Sequence, residues 1–311
     1  MSASAQPLDR RAWRQIVIIT VAAVALFVIF RRLPTGTNLS HMDFRATGAK
    51  NSLEFCDPLN PQFIPVVEMQ SPVAMTLTPV GELVPGRTAE FTLTMKTASG
   101  KPIAPEDLLV THTRLLHLLI IDPWLNDYQH VHPEPGSRPG AWTFSFIPKR
   151  EGKYRVFADF TPVVTARGLY ASTDVQIGKS ALPALLTMVM QHEPSWVVER
   201  DGYRFALVPG ALPVRAKQPV DLKLAITRAD GQRVPMEPVM GAFAHLVAFD
   251  EARSGFAHLH PNELNPPTPP DGLKPVLNFK FTIPAAGNYV IWAQLNLAGR
   301  ETFVPFWFEV E

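Results

Sequence analysis

The hydrophobic residues form one long uninterrupted segment near the N-terminus and many short runs after it. Residues 16–30 (IVIITVAAVALFVIF) carry no charge, and arginine residues stand on both sides of them. A length of 15 residues lies between the apolar core of a signal peptide and the roughly 20 residues of a membrane-spanning helix. Trp13, Gln15 and Leu33 bring the segment close to spanning length, and no convincing small-x-small cleavage site follows Phe30. The pattern therefore favours an uncleaved single-pass anchor over a cleaved signal peptide.

Downstream of residue 70, short apolar runs alternate with turn residues. Residues 89–95 (AEFTLTM) and 220–226 (VDLKLAI) place apolar side chains at every second position, as a strand with one buried face does. The 31 prolines and 18 glycines are dispersed rather than periodic, which indicates short strands joined by turns. About seven such strands in each half predict an all-β fold, with two tandem immunoglobulin-like β-sandwich domains after a single N-terminal transmembrane helix.

The second half of the chain repeats a segment of the first half, which indicates a duplicated module. Residues 112–133 (HTRLLHLLIIDPWLNDYQHVHP) align without a gap with residues 240–261 (MGAFAHLVAFDEARSGFAHLHP), and 6 of the 22 positions are identical. The identical pairs are His117/His245, Leu118/Leu246, Asp122/Asp250, His130/His258, His132/His260 and Pro133/Pro261. Histidine is therefore kept at three positions while most apolar positions between them have diverged.

The repeat and the composition together set the expected domain boundaries. We expect residues 1–33 to form a cytoplasmic tail and the membrane anchor. Residues 34–70 are rich in Pro, Asn, Thr and Ser and lack a periodic pattern, so they are expected to form a tether. Residues 71–178 are expected to form the first β-sandwich and residues 202–311 the second, with residues 179–201 as the inter-module segment.

Each of the two aligned segments predicts a β-hairpin. Residues 115–121 form a continuous apolar run with one histidine inside it, and residues 128–132 are typical of the returning strand. If Asp122 pairs with Asp127 across the turn, His117 lies opposite His132. The same rule applied to the second module, where Asp250 and Gly255 bracket the turn, places His245 opposite His260. The conserved aspartates are expected to cap the two turns with their side chains.

This register brings three histidines of each hairpin to one face of the sheet. His130 and His132 are two residues apart and share a face, and a directly opposed His117 points to that same face. Cβ atoms about 4.5–5.5 Å apart at opposed positions and about 7–8 Å apart at diagonal ones allow three imidazoles to bind one metal ion at about 2.0–2.1 Å. A shift of one residue would turn one strand's histidines away. The same arrangement is expected for His245, His258 and His260.

Two other interpretations of these histidines stay open on the sequence alone, namely a structural polar network carried along by duplication and a chance surface cluster. The selective retention of titratable positions favours metal binding, with copper as the expected ion and zinc as the alternative, because neutral imidazole binds both. His112 adds a fourth candidate ligand in the first module. Met240 occupies the aligned position in the second, where a thioether sulfur would suit Cu(I).

Charge and composition exclude several functional classes. A net charge of +1, from 29 basic and 28 acidic residues, provides no basic field for nucleic acid. The single cysteine, Cys56, excludes an intrachain disulfide and a type-1 copper site inside either sandwich. The sequence contains no nucleophile elbow, phosphate-binding glycine loop, HExxH helix or recognisable acid/base pair. We therefore predict a protein that is not an enzyme.

The segments HLLIIDPWLNDYQHVHP and HLVAFDEARSGFAHLHP, each followed by Ile-Pro, Gly and Tyr, resemble bacterial periplasmic modules related to the YtkA-like domains. The resemblance covers each module, and it implies an immunoglobulin-like fold outside the cytoplasmic membrane and an association with heavy-metal handling, chiefly of copper. Only His117, His130, His132 and their three copies match residue by residue. A more distant likeness to CopC-like copper carriers is weakened, since no histidine stands at a processed N-terminus.

Two functional hypotheses follow from the sequence. The first is a periplasmic protein, held in the cytoplasmic membrane by a single helix, that binds or buffers copper through its duplicated histidine hairpins. The second is a non-catalytic structural or assembly module, such as a subunit of a membrane complex with a protein partner, whose histidines only stabilise the hairpins. Metal content separates the two.

Overall fold

The computed structural model describes residues 9–32, 39–45, 62–179, 192–262 and 269–311. Cys56 lies outside these ranges, as do parts of the expected tether and of the expected inter-module segment. The chain divides into two units, Met1–Asn38 and Leu39–Glu311. The larger unit contains both of the modules predicted from the repeat.

The described residues of the first unit form the helix α1 (Arg10–Arg32), which confirms the helix predicted from the apolar segment. Residues Arg10–Ile29 are long and apolar enough to cross a membrane. This criterion uses length and composition only, and an N-terminal signal sequence would also meet it.

The first module is a β-sandwich made of two antiparallel sheets. Its strands are β1 (Val73–Val80), β2 (Ala89–Thr97), β3 (Leu108–Leu109), β4 (Leu116–Ile121), β5 (Tyr128–Val131), β6 (Glu134–Pro135), β7 (Ala141–Phe146), β8 (Gly152–Pro162) and β9 (Leu169–Ile177). One sheet has the order β1-β2-β7-β6, and the other has the order β3-β8-β4-β5 with β9 paired to β8.

The second module repeats this plan, so the prediction of two tandem β-sandwiches is confirmed. Its strands are β10 (Val197–Arg200), β11 (Tyr203–Pro209), β12 (Pro219–Arg228), β13 (Met236–Glu237), β14 (His245–Asp250), β15 (Phe256–Leu259), β16 (Val276–Thr282), β17 (Gly287–Leu297) and β18 (Arg300–Val310). The sheets have the orders β10-β11-β12-β16 and β13-β17-β14-β15, with β18 paired to β17. β10 lies within the segment expected to join the modules.

Each module encloses its own hydrophobic core. Buried and more exposed residues alternate along the strands of the sheet that lies away from the hairpin. In β2, the buried positions Ala89, Phe91, Leu93 and Met95 alternate with more exposed ones. Such alternation buries one face of a sheet and leaves the other to solvent. Short strands of β-branched and aromatic residues at this spacing therefore form the outer sheet of each sandwich.

The hairpin sheets, which contain β4 and β5 in the first module and β14 and β15 in the second, bury both faces. All six residues of β4 are buried. Leu116, Leu118 and Ile120 belong to the core of the first module. Leu119 and Ile121, on the opposite face, belong to a third core shared with the second module. The second module contributes to it Val247, Phe249, Phe256, Val290 and Trp292. The two hairpin sheets therefore pack against each other.

Hydrogen bonds from two arginine side chains to backbone carbonyl oxygens also join the modules. Arg155 donates from Nη1 to the carbonyl oxygen of Arg253 at 2.7 Å, and Arg253 donates from Nη1 to the carbonyl oxygen of Lys153 at 2.7 Å. The backbone nitrogen of Ile64, from the region expected to be tether, donates to the oxygen of Phe256 at 2.8 Å. The interface between modules is thus both apolar and hydrogen-bonded.

Both hairpins have the predicted register. Leu119 pairs with His130 in the first module, and Val247 pairs with His258 in the second. His117 and Leu119 are two residues apart on β4, so their side chains point to the same face of the sheet. This face belongs to the core shared by the two modules. The prediction that the three histidines of each hairpin lie on one sheet face is therefore confirmed.

The two aspartates that are shared by both copies of the repeat cap the hairpin turns as predicted. Asp122 accepts at Oδ1 from the backbone nitrogens of Asn126 at 2.6 Å and Asp127 at 2.9 Å. Asp250 accepts at Oδ1 from the backbone nitrogens of the aligned residues, Ser254 at 2.7 Å and Gly255 at 3.4 Å. Asx-type turns of this kind fix the loop geometry and with it the strand register.

Replacing Tyr154 by Phe should destabilise the protein by about 1–3 kcal/mol, because it removes a donor from a buried carboxylate. The Tyr154 hydroxyl donates to Oδ2 of Asp127 at 2.7 Å, and Asp127 is fully buried. Tyr289 is the matched control, since it is the third residue of β17 as Tyr154 is of β8, and its hydroxyl donates only to the carbonyl oxygen of Ala285. Guanidinium unfolding should show a clearly larger loss for Y154F than for Y289F. Equal losses would contradict this assignment.

Candidate metal centre

The first trio consists of His117 in β4, His130 in β5 and His132 just after β5. The ring centroid of His117 lies 5.3 Å from that of His130 and 4.9 Å from that of His132. The centroids of His130 and His132 are 4.8 Å apart. One nitrogen from each ring lies within 4.8 Å of the other two. The three imidazoles converge closely enough to hold a metal ion.

The second trio consists of His245 in β14, His258 in β15 and His260 just after β15. The ring centroids of His245 and His258 are 5.6 Å apart, those of His245 and His260 are 4.8 Å apart, and those of His258 and His260 are 4.6 Å apart. Its ligand atoms also lie within 4.8 Å of one another. The duplication has thus preserved the geometry as well as the residues.

Hydrogen bonds on the outer side of the first trio determine which nitrogens face inward. His117 Nε2 lies 3.0 Å from the carbonyl oxygen of Thr111, an acceptor, so Nε2 carries the proton and Nδ1 presents a lone pair. His130 Nδ1 lies 2.8 Å from Oε1 of Gln294. The Gln294 amide nitrogen donates to Glu301 at 3.2 Å, which directs the amide oxygen towards His130. His130 therefore presents the lone pair of Nε2.

These two inward nitrogens, His117 Nδ1 and His130 Nε2, are 3.1 Å apart. Two lone pairs at this distance repel each other unless a cation or a shared proton lies between them. Two nitrogen ligands of one tetrahedral ion, each at about 2.0–2.1 Å from it, are separated by about 3.3 Å. The spacing in the first trio therefore fits ligands of a single ion.

The second trio is oriented in the same way. His245 Nε2 lies 2.9 Å from the carbonyl oxygen of Val239, the residue aligned with Thr111. His258 Nδ1 lies 3.1 Å from Oδ2 of Asp159. The opposite nitrogens, His245 Nδ1 and His258 Nε2, are buried and make no hydrogen bond within the part of the chain that the structure describes. Unpartnered buried nitrogens are costly, and a bound cation would satisfy both.

The third histidine of each trio also has a free inward nitrogen. Nε2 of His132 and Nε2 of His260 are buried, and neither has a hydrogen-bond partner among the described residues. Every trio thus offers three neutral imidazole nitrogens. Among the described residues, the groups of ligand type that lie close enough to share an ion are these two trios.

Burial keeps these imidazoles neutral. Desolvation, together with the neighbouring histidines, lowers the pKa of His132 and of His245 from 6.5 to about 3. Desolvation likewise holds the pKa values of His130, His258 and His260 well below the ordinary value. Neutral imidazole is the form that binds a metal ion, so the apo site is already in its binding state at neutral pH.

The histidines of the two trios differ in burial. His117 and His245 lie at the base with 1% and 0% exposure and the His258 side chain is 5% exposed, whereas His132 and His260 are partly exposed. His112 at the rim is exposed. The side of the cluster at His112, His132 and His260 is therefore the side nearest to solvent.

His112 and Met240 occupy equivalent tight turns, and both have a positive φ, 48° and 50°. His112 was expected to add to the first trio. The structure instead places its ring against His260 of the second module, stacked with 3.6 Å between centroids. Its distance to the His117 ring is 6.2 Å. Gly241, next to Met240, lies beside the methyl group of Thr113, so the two turns approach each other.

Asp159 and Gln294 were missed by sequence reasoning. Each is paired across its sheet with the first histidine of its own module, His117 or His245, yet each hydrogen-bonds to a histidine of the other module. Each hairpin taken alone suggested a complete local unit. The structure shows instead that each trio depends on a hydrogen bond from the other module. The available signal was the equivalent placement of Asp159 and Gln294 in the aligned strands YRVFADF and YVIWAQL.

Solved structures with partial likeness to this chain include a protein of Corynebacterium diphtheriae described as membrane anchored, the trypsin-activated alpha-2-macroglobulin of Escherichia coli and a DUF4785 family protein of Legionella pneumophila. Their identities are 9%, 10% and 10%, and they cover 76%, 76% and 77% of this chain. This chain spans 58%, 18% and 56% of those chains, each with a TM-score of 0.24. Similarity this low establishes no shared architecture.

No curated protein matches the chain. A family described as a domain of unknown function, DUF8832, matches residues 68–176 and 197–311. The two matched ranges contain the two β-sandwiches, so the family match repeats the duplication found in the sequence. The matched family is not the YtkA-like group, and that resemblance stays a prediction. The chain belongs to the DUF8832 family, with two tandem copies of its domain.

Proposed function

We propose that this protein binds copper through its two histidine trios, and that α1 anchors it in the cytoplasmic membrane with both β-sandwiches in the periplasm. The observation that carries the proposal is the orientation of four imidazoles. His117, His130, His245 and His258 each have one ring nitrogen held by an acceptor on the outside. Each therefore turns a lone pair inward, as metal-ligating histidines do.

The donor set favours copper. All six inward ligands are imidazole nitrogens, with no carboxylate or thiolate among them. Such a set suits copper and zinc and does not suit magnesium or calcium, which prefer oxygen. At a given nitrogen site, Cu²⁺ binds more tightly than the other divalent first-row ions. Zinc is the alternative occupant.

Binding is the proposed activity rather than catalysis. Each trio lies at the interface between two packed modules and is supported by outer hydrogen bonds, which suits retention or transfer of an ion. The competing hypothesis, a structural or assembly module, assigns the histidines to the interface itself. It predicts that the protein binds no metal.

Metal analysis tests the proposal. Full-length protein, purified in detergent without a histidine tag and dialysed against Cu²⁺, Cu⁺ or Zn²⁺, should retain close to two ions per chain. The variant with His117, His130, His245 and His258 all changed to Ala should retain none. His192→Ala is the matched control, since this ring stacks on Trp307 instead of joining either trio, and it should retain the full amount. If the full-length protein retained no metal, the proposal would be wrong and the structural or assembly hypothesis would stand.

A further inference from the structure

We propose that the two trios form a single dinuclear centre at the module interface, in which the two ions are neighbours and each depends on both modules. This inference rests on the proposed metal binding and goes beyond it. Two separate sites on two separate domains would be expected from the duplication alone. The contacts between the trios point to one shared centre.

Distances between the trios are similar to distances within them. The ring centroid of His130 lies 5.3 Å from that of His258 in the other module, and 5.3 Å from that of His117 in its own. His117 and His258 are 5.8 Å apart, and His130 and His245 are 6.2 Å apart. Since an imidazole nitrogen binds its ion at about 2.0–2.1 Å, ions on His130 and His258 are at most about 12 Å apart.

The hydrogen bonds that orient the ligands are exchanged between the modules. Asp159 of the first module fixes His258 of the second, and Gln294 of the second module fixes His130 of the first. Outer partners of this kind set the tautomer and basicity of a metal-bound histidine. Each trio is therefore complete only when the other module is in place.

His112 lies between the two trios. Its ring centroid is 6.2 Å from that of His117 and 6.3 Å from that of His245, and it stacks on His260. It is exposed at the rim of the cluster. A seventh imidazole at this position can reach towards either ion, as a ligand that admits or passes on copper would.

Charge makes the two sites unequal. The six ligands are neutral, so two ions bring uncompensated positive charge into a largely buried space. The carboxylate of Asp159 contacts His258 directly. Glu301 reaches His130 only through the neutral amide of Gln294. Asp159 is also paired across the sheet with His117, but its hydrogen bond is made to the second trio, so we expect that trio to fill first.

Electron paramagnetic resonance of the full-length protein tests the inference. Protein loaded with two equivalents of Cu²⁺ should give the spectrum of an interacting pair, with dipolar broadening, a half-field transition or fewer spins than bound Cu²⁺ ions. The variant His130→Ala with His132→Ala keeps the second trio and Asp159. It should bind one ion and give the sharp spectrum of isolated Cu²⁺. The mirror variant, His258→Ala with His260→Ala, should do the same.

The outcomes separate this inference from metal binding itself. Two bound ions with the full spin count and no broadening would overturn the dinuclear centre and leave the proposed function intact. One ion per chain, lost in both variants, would also overturn it, since the trios would then share a single ion. No bound metal would overturn the proposed function. Reduced copper would also lower the spin count, because Cu⁺ gives no signal. The amount of Cu⁺ is therefore measured with bicinchoninate after denaturation, and a low spin count is taken as coupling only when the bound copper is Cu²⁺.

Discussion

Metal-free protein should lose stability steadily as the pH falls below about 6.5, the ordinary pKa of histidine in an unfolded chain. Six histidines of the two trios are wholly or partly buried against one another. Burial lowers the pKa of His245 and of His132 to about 3. Between these two values the unfolded chain binds protons that the folded protein does not. Acid therefore favours unfolding.

The sign follows from linkage. Stability rises with pH wherever the unfolded state holds more protons than the folded state. For histidines with a lowered folded pKa, the stabilising contribution is complete above about 6.5, is lost progressively below it, and stops changing near pH 3. A fully buried histidine such as His245 should lower the free energy of unfolding by about 2 kcal/mol at pH 5, relative to its value above pH 6.5.

Charged groups around the cluster modify this slope without reversing it. Asp159 raises the pKa of His117 and of His112 against the lowering effect of burial, while Arg114 contributes to the lowered pKa of His132. Burial raises the pKa of Asp159 itself, with desolvation as the main cause. His117 should therefore accept a proton more readily than His258, whose pKa desolvation and the neighbouring His245 hold well below the ordinary value.

Guanidinium unfolding of metal-free protein at pH 7.5, 6.5, 5.5 and 5.0, followed by tryptophan fluorescence, measures the effect. The midpoint should hold steady from pH 7.5 to 6.5 and then fall. His245→Gln should make the fall shallower, because Gln does not titrate. His192→Ala removes one partly buried histidine outside both trios, whose pKa desolvation also lowers, and it should reduce the slope less than His245→Gln does. A midpoint independent of pH down to 5.0 would mean that the cluster protonates in the folded state and is not sealed.

The sequence was sufficient to predict the two sandwiches and the position of the histidines on them. A strand repeats its side-chain direction every two residues, so the Asp122 turn determines which face His117 and His130 share. The alternation of side chains and the register set by the turn are local properties of a hairpin, and residue spacing along the sequence is sufficient to predict them. The duplication then added a second, independent copy of the same pattern.

The packing of one module on the other could not be predicted in the same way. Asp159 and His258 are 99 positions apart in the sequence, and no spacing rule connects them. One signal was present, because residues 116–121 are apolar on both faces except at His117, and a strand that is apolar on both faces is covered on both. That run indicated a partner surface beyond the sandwich core without identifying it as the other module.

The exchange of outer ligands leads to a prediction with a crossed pattern. Asp159→Asn should weaken copper binding to the second trio about 10–100-fold, the usual cost of losing a partner of a metal-bound histidine. The first trio should be weakened less, because Asp159 acts on His117 through its charge alone and makes its hydrogen bond to His258. Gln294→Met keeps the side-chain length and removes the amide acceptor of His130. It should weaken the first trio and spare the second.

Single-trio backgrounds make the two effects separable. In His130→Ala/His132→Ala protein, which retains the second trio, Asp159→Asn should lower the Cu²⁺ affinity measured by competition with a chelator. In His258→Ala/His260→Ala protein, Asp159 has lost the histidine to which it hydrogen-bonds, so the same substitution should weaken binding less, through the loss of the charge beside His117 alone. Asp221→Asn is the matched control, because it removes an equal charge from an exposed ion pair with Lys280 on the outer sheet. If Asp159→Asn weakened both trios equally, its effect would be one of general electrostatics, and the orientation of His258 by Asp159 would not contribute.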